Sequence, residues 1–180
     1  MTISLDKNST QKIFKLLKEG KFLSQNTPDT DEKQLFNYLQ MHFEEFQSLF
    51  SYLDITLILR EGYCYFASFE NRDQRIQSIL KLIDLMSFYF HFDPTFGVGT
   101  RFSINDVEER INDDITLKTK FNKLKELKSD TQRNKIHSLI EKFEKRGYLA
   151  LEDPFLERYV VLDSYSYLVS FFNKIEIKES

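Results

Sequence analysis

Residues 133–163 read RNKIHSLIEKFEKRGYLALEDPFLERYVVLD, and this stretch decides the fold. Its first half places apolar residues at the i, i+3, i+4, i+7 spacing of an amphipathic helix that ends at Gly147: Ile136, Leu139, Ile140 and Phe143. In its second half, YLALE and RYVVLD flank the turn-forming residues 153–157, which predicts an antiparallel hairpin. A helix that leads directly into a two-stranded hairpin is the C-terminal half of a winged helix.

The same order of elements occurs earlier in the chain. A short helix is predicted over 10–19, ending at Gly20, and a longer one over 32–50 with phenylalanines along one side. DITLIL and YCYF then bracket residues 60–62, a second hairpin with a glycine in its turn. The sequence therefore predicts a mainly α fold with small β hairpins (α+β), built as tandem winged-helix domains over 1–70 and 71–180.

The second domain includes a central helix predicted over 73–92. This helix is apolar on most of its circumference, so it must be covered from two sides. We expect it to join two lobes or to pack in a dimer. One of its two apolar stripes supplies the candidates for a dimer or partner interface: Leu82, Leu85, Tyr89 and Phe92.

Shorter elements complete the second domain. Pro94 ends the central helix, and TFGVGTRF is predicted to be a loop. Helices are expected over 103–112 and 115–127, with Ser103 and Asp114 as N-caps. Ser129 and Gln132 have the spacing of a capping box for the helix that precedes the hairpin. Asp163 or Ser164 is expected to cap a C-terminal helix.

Charge is distributed unevenly, although the net charge of the chain is only −3. Residues 118–146 hold four acidic side chains against ten basic ones: Lys118, Lys120, Lys123, Lys125, Lys128, Arg133, Lys135, Lys142, Lys145 and Arg146. Lysines of this kind either form a solvated surface or contact the phosphates of a polyanion, and the sequence leaves both open. Specific base recognition is not favoured, because only Arg133 and Asn134 lie near the N-terminal end of the helix.

No pattern in the sequence predicts catalysis, a metal or a cofactor. GVGT at 97–100 lacks the Lys-Ser/Thr pair of a phosphate-binding loop. The three histidines lie on separate predicted helices, and the single Cys64 alternates with aromatic residues as a buried structural thiol would. No stretch is apolar and long enough for a membrane span. We expect a cytoplasmic protein that is not an enzyme.

Four segments together resemble the MukE and MksE proteins, the small accessory subunits of bacterial condensin-like SMC complexes. LLKEGKFLS at 16–24 is similar to the family's first helix, and FNYLQMHFEEFQSLFSYLDITLILREGYCYF at 36–66 to its long helix and first wing. RNKIHSLIEKFEKRGYLALED at 133–153 and RYVVLDSYSYLVSFF at 158–172 resemble its second wing and closing helix. The short region after the last helix favours the MksE branch.

The resemblance implies a kite protein, a tandem winged-helix homodimer that binds a kleisin and through it an SMC ATPase. It also implies weak, sequence-nonspecific DNA contact, a nucleoid-associated location, and a role in chromosome organisation and segregation or, as in the related Wadjet-type subunit, in plasmid defence. The eighteen Phe and nine Tyr residues suit partner-binding surfaces. The alternative is a plasmid replication initiator or transcription regulator that binds one specific DNA site.

Overall fold

The computed structural model describes residues 5–67, 72–124, 127 and 131–176. In the N-terminal half the elements are α1 (Lys7–Lys18), β1 (Leu23–Ser24), α2 (Thr30–Met41), α3 (Phe43–Ser51), β2 (Leu57–Arg60) and β3 (Tyr63–Phe66). In the C-terminal half they are α4 (Arg72–Phe92), β4 (Arg101–Ser103), α5 (Ile104–Asp113), α6 (Ile115–Lys123), α7 (Gln132–Glu144), β5 (Leu149–Asp153), β6 (Arg158–Val161) and α8 (Tyr165–Glu176).

Each half builds one antiparallel three-stranded sheet, with strand orders β1-β3-β2 and β4-β6-β5. In both sheets a short strand that follows the first helix of its half, α1 or α4, pairs with the return strand of the hairpin, as Leu23 does with Cys64 and Phe102 with Tyr159. This is the winged-helix arrangement, present twice, and it confirms the predicted fold class. The prediction of a loop over 95–102 is wrong at its end, because Arg101 and Phe102 belong to β4.

The helix predicted over 32–50 is two helices that meet at His42. The backbone of His42 leaves the helical region, with φ −111° and ψ 30°, and its carbonyl accepts the first hydrogen bond of α3 from Phe46. The break lets α2 and α3 approach one core from different directions, so that Phe36 and Leu39 of α2 and the phenylalanines Phe46 and Phe50 of α3 are all buried.

The helix caps are partly as predicted. Ser103 forms a capping box with Asp106, and Asp114 accepts hydrogen bonds from the N–H groups at 116 and 117. Helix α1 begins earlier than expected because Asp6 caps it, and α6 ends at Lys123 rather than at 127. Thr131 is the N-cap of α7, and Ser129, the cap expected from the sequence, lies outside the described residues.

Over the residues that the structure describes, two hydrophobic clusters form the core. The first is built from α1, α2, α3 and the first sheet, and it contains Cys64, whose thiol pKa is raised to about 12 by burial. The second is built from α4 to α8 and the second sheet, together with Phe22 and Tyr63 of the N-terminal half. The two clusters agree with a two-lobed chain, but the boundary between 70 and 71 falls in undescribed residues and stays a prediction.

Phe22 joins the two lobes. It comes from the N-terminal half, yet its ring belongs to the second cluster, 5.1 Å from the ring of Tyr148 and 5.2 Å from that of Tyr167. Its backbone N–H donates a 3.0 Å hydrogen bond to the carbonyl of Arg146. The approach is so close that a Cβ at Gly147 would lie 2.5 Å from the carbonyl oxygen of Phe22.

A second junction contact lies between Asn26 and Asp163. The Asn26 N–H donates to Asp163 Oδ2 at 3.2 Å, and the Asp163 N–H donates to Asn26 Oδ1 at 2.8 Å. Burial raises the pKa of the Asp163 carboxyl, while the Asn26 N–H acts against that rise. Reciprocal hydrogen bonds between residues 137 positions apart therefore connect the two lobes.

Candidate functional site

The basic residues predicted to contact DNA are spread over three parts of the C-terminal lobe. Lys118, Lys120 and Lys123 lie on α6, while Arg133, Lys135 and Lys142 lie on α7. Lys145 and Arg146 follow α7 directly, and Lys125 and Lys128 lie outside the described residues. Their neighbours divide them into cations that are held by the fold and cations that face solvent.

Arg133 is held by the fold. Its Nη1 donates to Glu108 Oε2 at 2.7 Å and to Asn105 Oδ1 at 3.0 Å, and its Nη2 contacts the carboxylate of Glu157. The hydrogen bond to Glu108 is the main cause of a raised pKa at Arg133. With its donors aimed at α5 and at the wing, Arg133 is not positioned to reach a base edge or a phosphate.

Lys135 is also a structural cation. Its Nζ donates to the carbonyl oxygens of Phe121 at 2.7 Å and of Asn122 at 3.4 Å, and it lies 4.8 Å from the centroid of the Phe121 ring. These contacts tie α7 to the C-terminal end of α6, where unpaired carbonyl groups attract cations. Partial burial lowers the pKa of Lys135.

The other described cations differ in exposure. Lys118 and Lys123 are exposed, Lys142 and Arg146 are half-buried, and Lys120 contacts Nε2 of His91. Lys145 Nζ lies 2.7 Å from Glu141 Oε1, an exposed pair one helical turn apart. Because exposed pairs of this kind contribute little free energy, Lys145 can exchange Glu141 for a phosphate.

Sequence reasoning missed four further cations, on α1. Lys7, Lys12, Lys15 and Lys18 are all exposed, and the helix segment KNSTQKIFKLLK contains no acid. The C-terminal ends of α1 and α7 meet, since a Cβ at Gly20 would lie 3.9 Å from Arg146 Nη1. The sequence did contain a signal for this surface. Lys12, Lys15 and Lys18 are spaced three residues apart, which places them on one side of the helix, away from buried Ile13 and Leu17. Lys15 and Lys18 also stabilise the C-terminal end of their own helix.

Helix α3 occupies, in the first lobe, the place that α7 has in the second. Its residues, FEEFQSLFS, include Glu44 and Glu45 and no cation. An acidic helix repels phosphate, so α3 is a poor candidate for DNA contact. Any contact with a polyanion is thus favoured at α6, at the end of α7 and at α1.

The family model for the condensin complex protein MksE matches residues 8–172, which include both lobes. The chain belongs to the MksE family. Its membership makes the chain an accessory subunit of a condensin complex. Among the curated proteins, none matches the chain.

The interface candidates on α4 lie mainly inside this MksE-family chain. Leu82, Leu85 and Tyr89 are buried in the second core, where the ring of Tyr89 stacks 4.5 Å from that of Phe96. Phe92 is half-buried and packs against Phe102. These contacts are within one chain, and a role of the four residues in an interface between chains stays a prediction.

Two further findings on this MksE-family chain concern membrane spans and metal sites. Over those residues, no helix combines the length and the apolar character needed to cross a membrane. No group of three or more His, Cys, Asp and Glu side chains in the same residues is placed to hold a metal ion.

Proposed function

We propose that this chain is a non-catalytic subunit that binds the kleisin of its condensin complex as a homodimer, and through the kleisin acts with the SMC ATPase. The observation that carries the proposal is the MksE family match over both winged-helix lobes. It is supported by the junction at Phe22 and Asn26, which makes the two lobes one platform for a partner chain. Its cellular role is chromosome organisation and segregation or plasmid defence.

The proposal includes a weak, sequence-nonspecific contact with DNA, which places the complex at the nucleoid. Exposed lysines at Lys118, Lys123 and Lys145 are suited to phosphate contacts, which position a protein without reading sequence. The alternative, a replication initiator or transcription regulator, needs side chains that pair with base edges. The clamping of Arg133 by two carboxylates disfavours that alternative.

The first experiment is co-expression of the chain with the SMC-like and kleisin-like chains of the same genome, followed by native mass spectrometry. We expect a complex that contains a kleisin and two copies of this chain. A chain that purifies alone and binds one short DNA site tightly at physiological salt would favour the regulator instead. Neighbouring genes separate the two roles, because plasmid-defence systems of the Wadjet type add a nuclease-like gene.

The DNA contact is tested by charge reversal in the assembled complex. The variant Lys142→Glu with Lys145→Glu, and the variant Lys118→Glu with Lys123→Glu, should each lower DNA affinity at low salt. Each should also reduce the slope of log affinity against log salt by about one for every phosphate that the variant no longer binds. Lys33→Glu, at an exposed site on α2, is the single-site control for charge reversal. Affinities and salt slopes that do not differ from this control would refute the interaction with DNA.

A further inference from the structure

Two tyrosine hydroxyl groups lie in the core of the C-terminal half. Tyr89 comes from α4 and Tyr165 from the start of α8, and both side chains are 0% exposed. Tyrosine hydroxyls that are buried to this extent usually have a hydrogen-bond partner. Within the residues that the structure describes, neither hydroxyl has a partner in the protein. The Tyr38 hydroxyl differs, since it accepts a 2.7 Å hydrogen bond from the N–H of Asp6.

The rings that surround the two tyrosines are aromatic and cannot serve their hydroxyls. The Tyr89 ring stacks 4.5 Å from Phe96 and meets the ring of Phe143 edge-on at 5.2 Å. The Tyr165 ring meets Phe96 edge-on at 5.6 Å. Phe96 therefore packs against both tyrosines, which brings the C-terminal part of α4 and the start of α8 to one region of the core.

Both hydroxyls keep their protons. Burial raises the pKa of each phenol above its ordinary value, and for Tyr89 the electrostatic effects of Tyr165 and then of Tyr159 raise it further. A protonated hydroxyl donates one hydrogen bond and accepts others. The effect of Tyr165 on Tyr89 indicates that the two hydroxyls serve the same region, although they do not bond to each other.

A buried hydroxyl without a partner lowers the stability of a fold. Phenylalanine has the same ring without the hydroxyl, so two phenylalanines would avoid that cost. Internal water is the usual partner of such groups, because a single water molecule can both donate and accept. Folded proteins hold about one buried water per 27 residues, bonded to buried polar groups that lack other partners.

We propose that the hydroxyls of Tyr89 and Tyr165 bind one internal water molecule, which bridges α4 and the start of α8. In this bridge the water accepts a hydrogen bond from one hydroxyl and donates one to the other. Asp163 and Ser164, directly before Tyr165, bond to Asn26 and Ser24 of the N-terminal half. The bridge therefore also fixes the point at which α8 leaves the lobe junction. The proposal concerns the core of a single chain and does not depend on the proposed function.

A crystal structure of the full chain, at a resolution that shows ordered water, tests the bridge directly. We expect a water oxygen at roughly 2.5–3.0 Å from both hydroxyl oxygens. The same water should be missing from the double variant Tyr89→Phe with Tyr165→Phe, in which both rings keep their places. Hydroxyls that bond to each other, or that hold no ordered water, would overturn the proposal.

Urea denaturation gives an independent test, because the two explanations predict changes of opposite sign. If water bridges the hydroxyls, Tyr89→Phe or Tyr165→Phe leaves the other phenol without its bridge. Each variant should then raise the equilibrium constant of unfolding about fivefold or more. If the hydroxyls have no partner, each variant removes a desolvation cost and should be as stable as the wild type or more stable.

The control and the double variant complete the test. Tyr52→Phe removes the hydroxyl of a side chain that is 83% exposed, and it should leave the unfolding constant unchanged. Since one water serves both phenols, the double variant should be less destabilised than the sum of the two single variants. Additive losses would replace the bridge by two separate hydration sites. Single variants that match or exceed the stability of the wild type would overturn the water site itself.

Discussion

The replacement Gly147→Ala tests how tightly the two lobes are joined. Gly147 follows α7 with φ +73°, and a Cβ there would meet three atoms of the N-terminal half. Two of them are backbone atoms of Phe22, with the carbonyl oxygen at 2.5 Å and the nitrogen at 3.2 Å. Backbone atoms cannot move aside by a change of rotamer, so a methyl group must push the backbone of Phe22 away from the end of α7.

The free energy of unfolding should fall for two reasons that can be separated. A positive φ costs an alanine about 1–2 kcal/mol, partly offset by about 0.4–1 kcal/mol from the stiffer unfolded chain. The clash with Phe22 adds about 1–3 kcal/mol, the usual cost of overpacking. Gly99→Ala is the matched control, because Gly99 has φ +83° and no atom within 4 Å of its Cβ position.

Urea denaturation of the two variants and the wild type measures the difference directly. We expect Gly147→Ala to be less stable than Gly99→Ala by about 1–3 kcal/mol. In thermal unfolding this corresponds to a midpoint lower by roughly 2–12 °C for a chain of this size. Equal stability of the two alanine variants would mean that the backbone of Phe22 does not lie against Gly147.

Two other predictions concern the junction and α4. The pKa of the Asp163 carboxyl is raised in the folded state, above the value near 3.8 that it has in the unfolded chain. Ionisation of Asp163 therefore lowers the free energy of unfolding at high pH, and this loss disappears when the pH falls below about 3.8. Asp163→Asn should therefore be more stable than the wild type at pH 7 and equal to it at about pH 3 in urea denaturation; equal stability at both pH values would contradict the assigned burial. Tyr89→Asp should cost about 3–5 kcal/mol because it places a carboxylate in the core. Phe92→Asp should leave the fold intact, and if α4 forms a dimer contact the native mass should fall to that of the monomer; a variant that stays dimeric excludes an α4 interface.

Most elements that the sequence predicted have long periodic patterns, and the short helices α5 and α6 were predicted from their N-caps Ser103 and Asp114. Helices α1, α4, α7 and α8 and both hairpins bury apolar residues at regular spacing, and a glycine with positive φ ends or turns several of them. Strands β1 and β4 have only two and three residues, too few to show a period of two. They exist because the return strand of each hairpin offers a free edge, which is a tertiary property.

The break at His42 escaped prediction for a similar reason. No glycine or proline marks it, and the apolar spacing from Phe36 to Phe50 continues through it. The shape of the shared core, which α2 and α3 enter from different directions, selects the bend. A local pattern cannot show this, whereas the caps at Ser103 and Asp114 depend on neighbouring residues alone and were predictable.

The candidate site shows the same limit for charge. Composition identified a basic segment, but it could not show that Arg133 and Lys135 are held by Glu108, Glu157 and the end of α6. Nor could it show that Gly20, at the end of α1, lies close to Arg146, because that contact joins residues from the two lobes. A charge count treats all cations alike, and only the tertiary structure divides them into those that fasten helices and those left for a partner.

Helix α7 connects the exposed apolar tip of the second wing, formed by Phe155 and Leu156, with the lysines that are proposed to contact DNA. Its N-terminal end holds the wing tip through Arg133, and its C-terminal end leads to Lys145 and Arg146 at the lobe junction. Thirteen helical residues span about 20 Å, beyond the range over which exposed charges interact at physiological salt. Substitutions at the two ends should therefore act independently: charge reversal at Lys142 and Lys145 should leave the affinity for the kleisin unchanged, and Phe155→Ser should leave the salt slope of DNA binding unchanged. A variant at one end that alters both affinities would mean that one partner covers the whole length of α7.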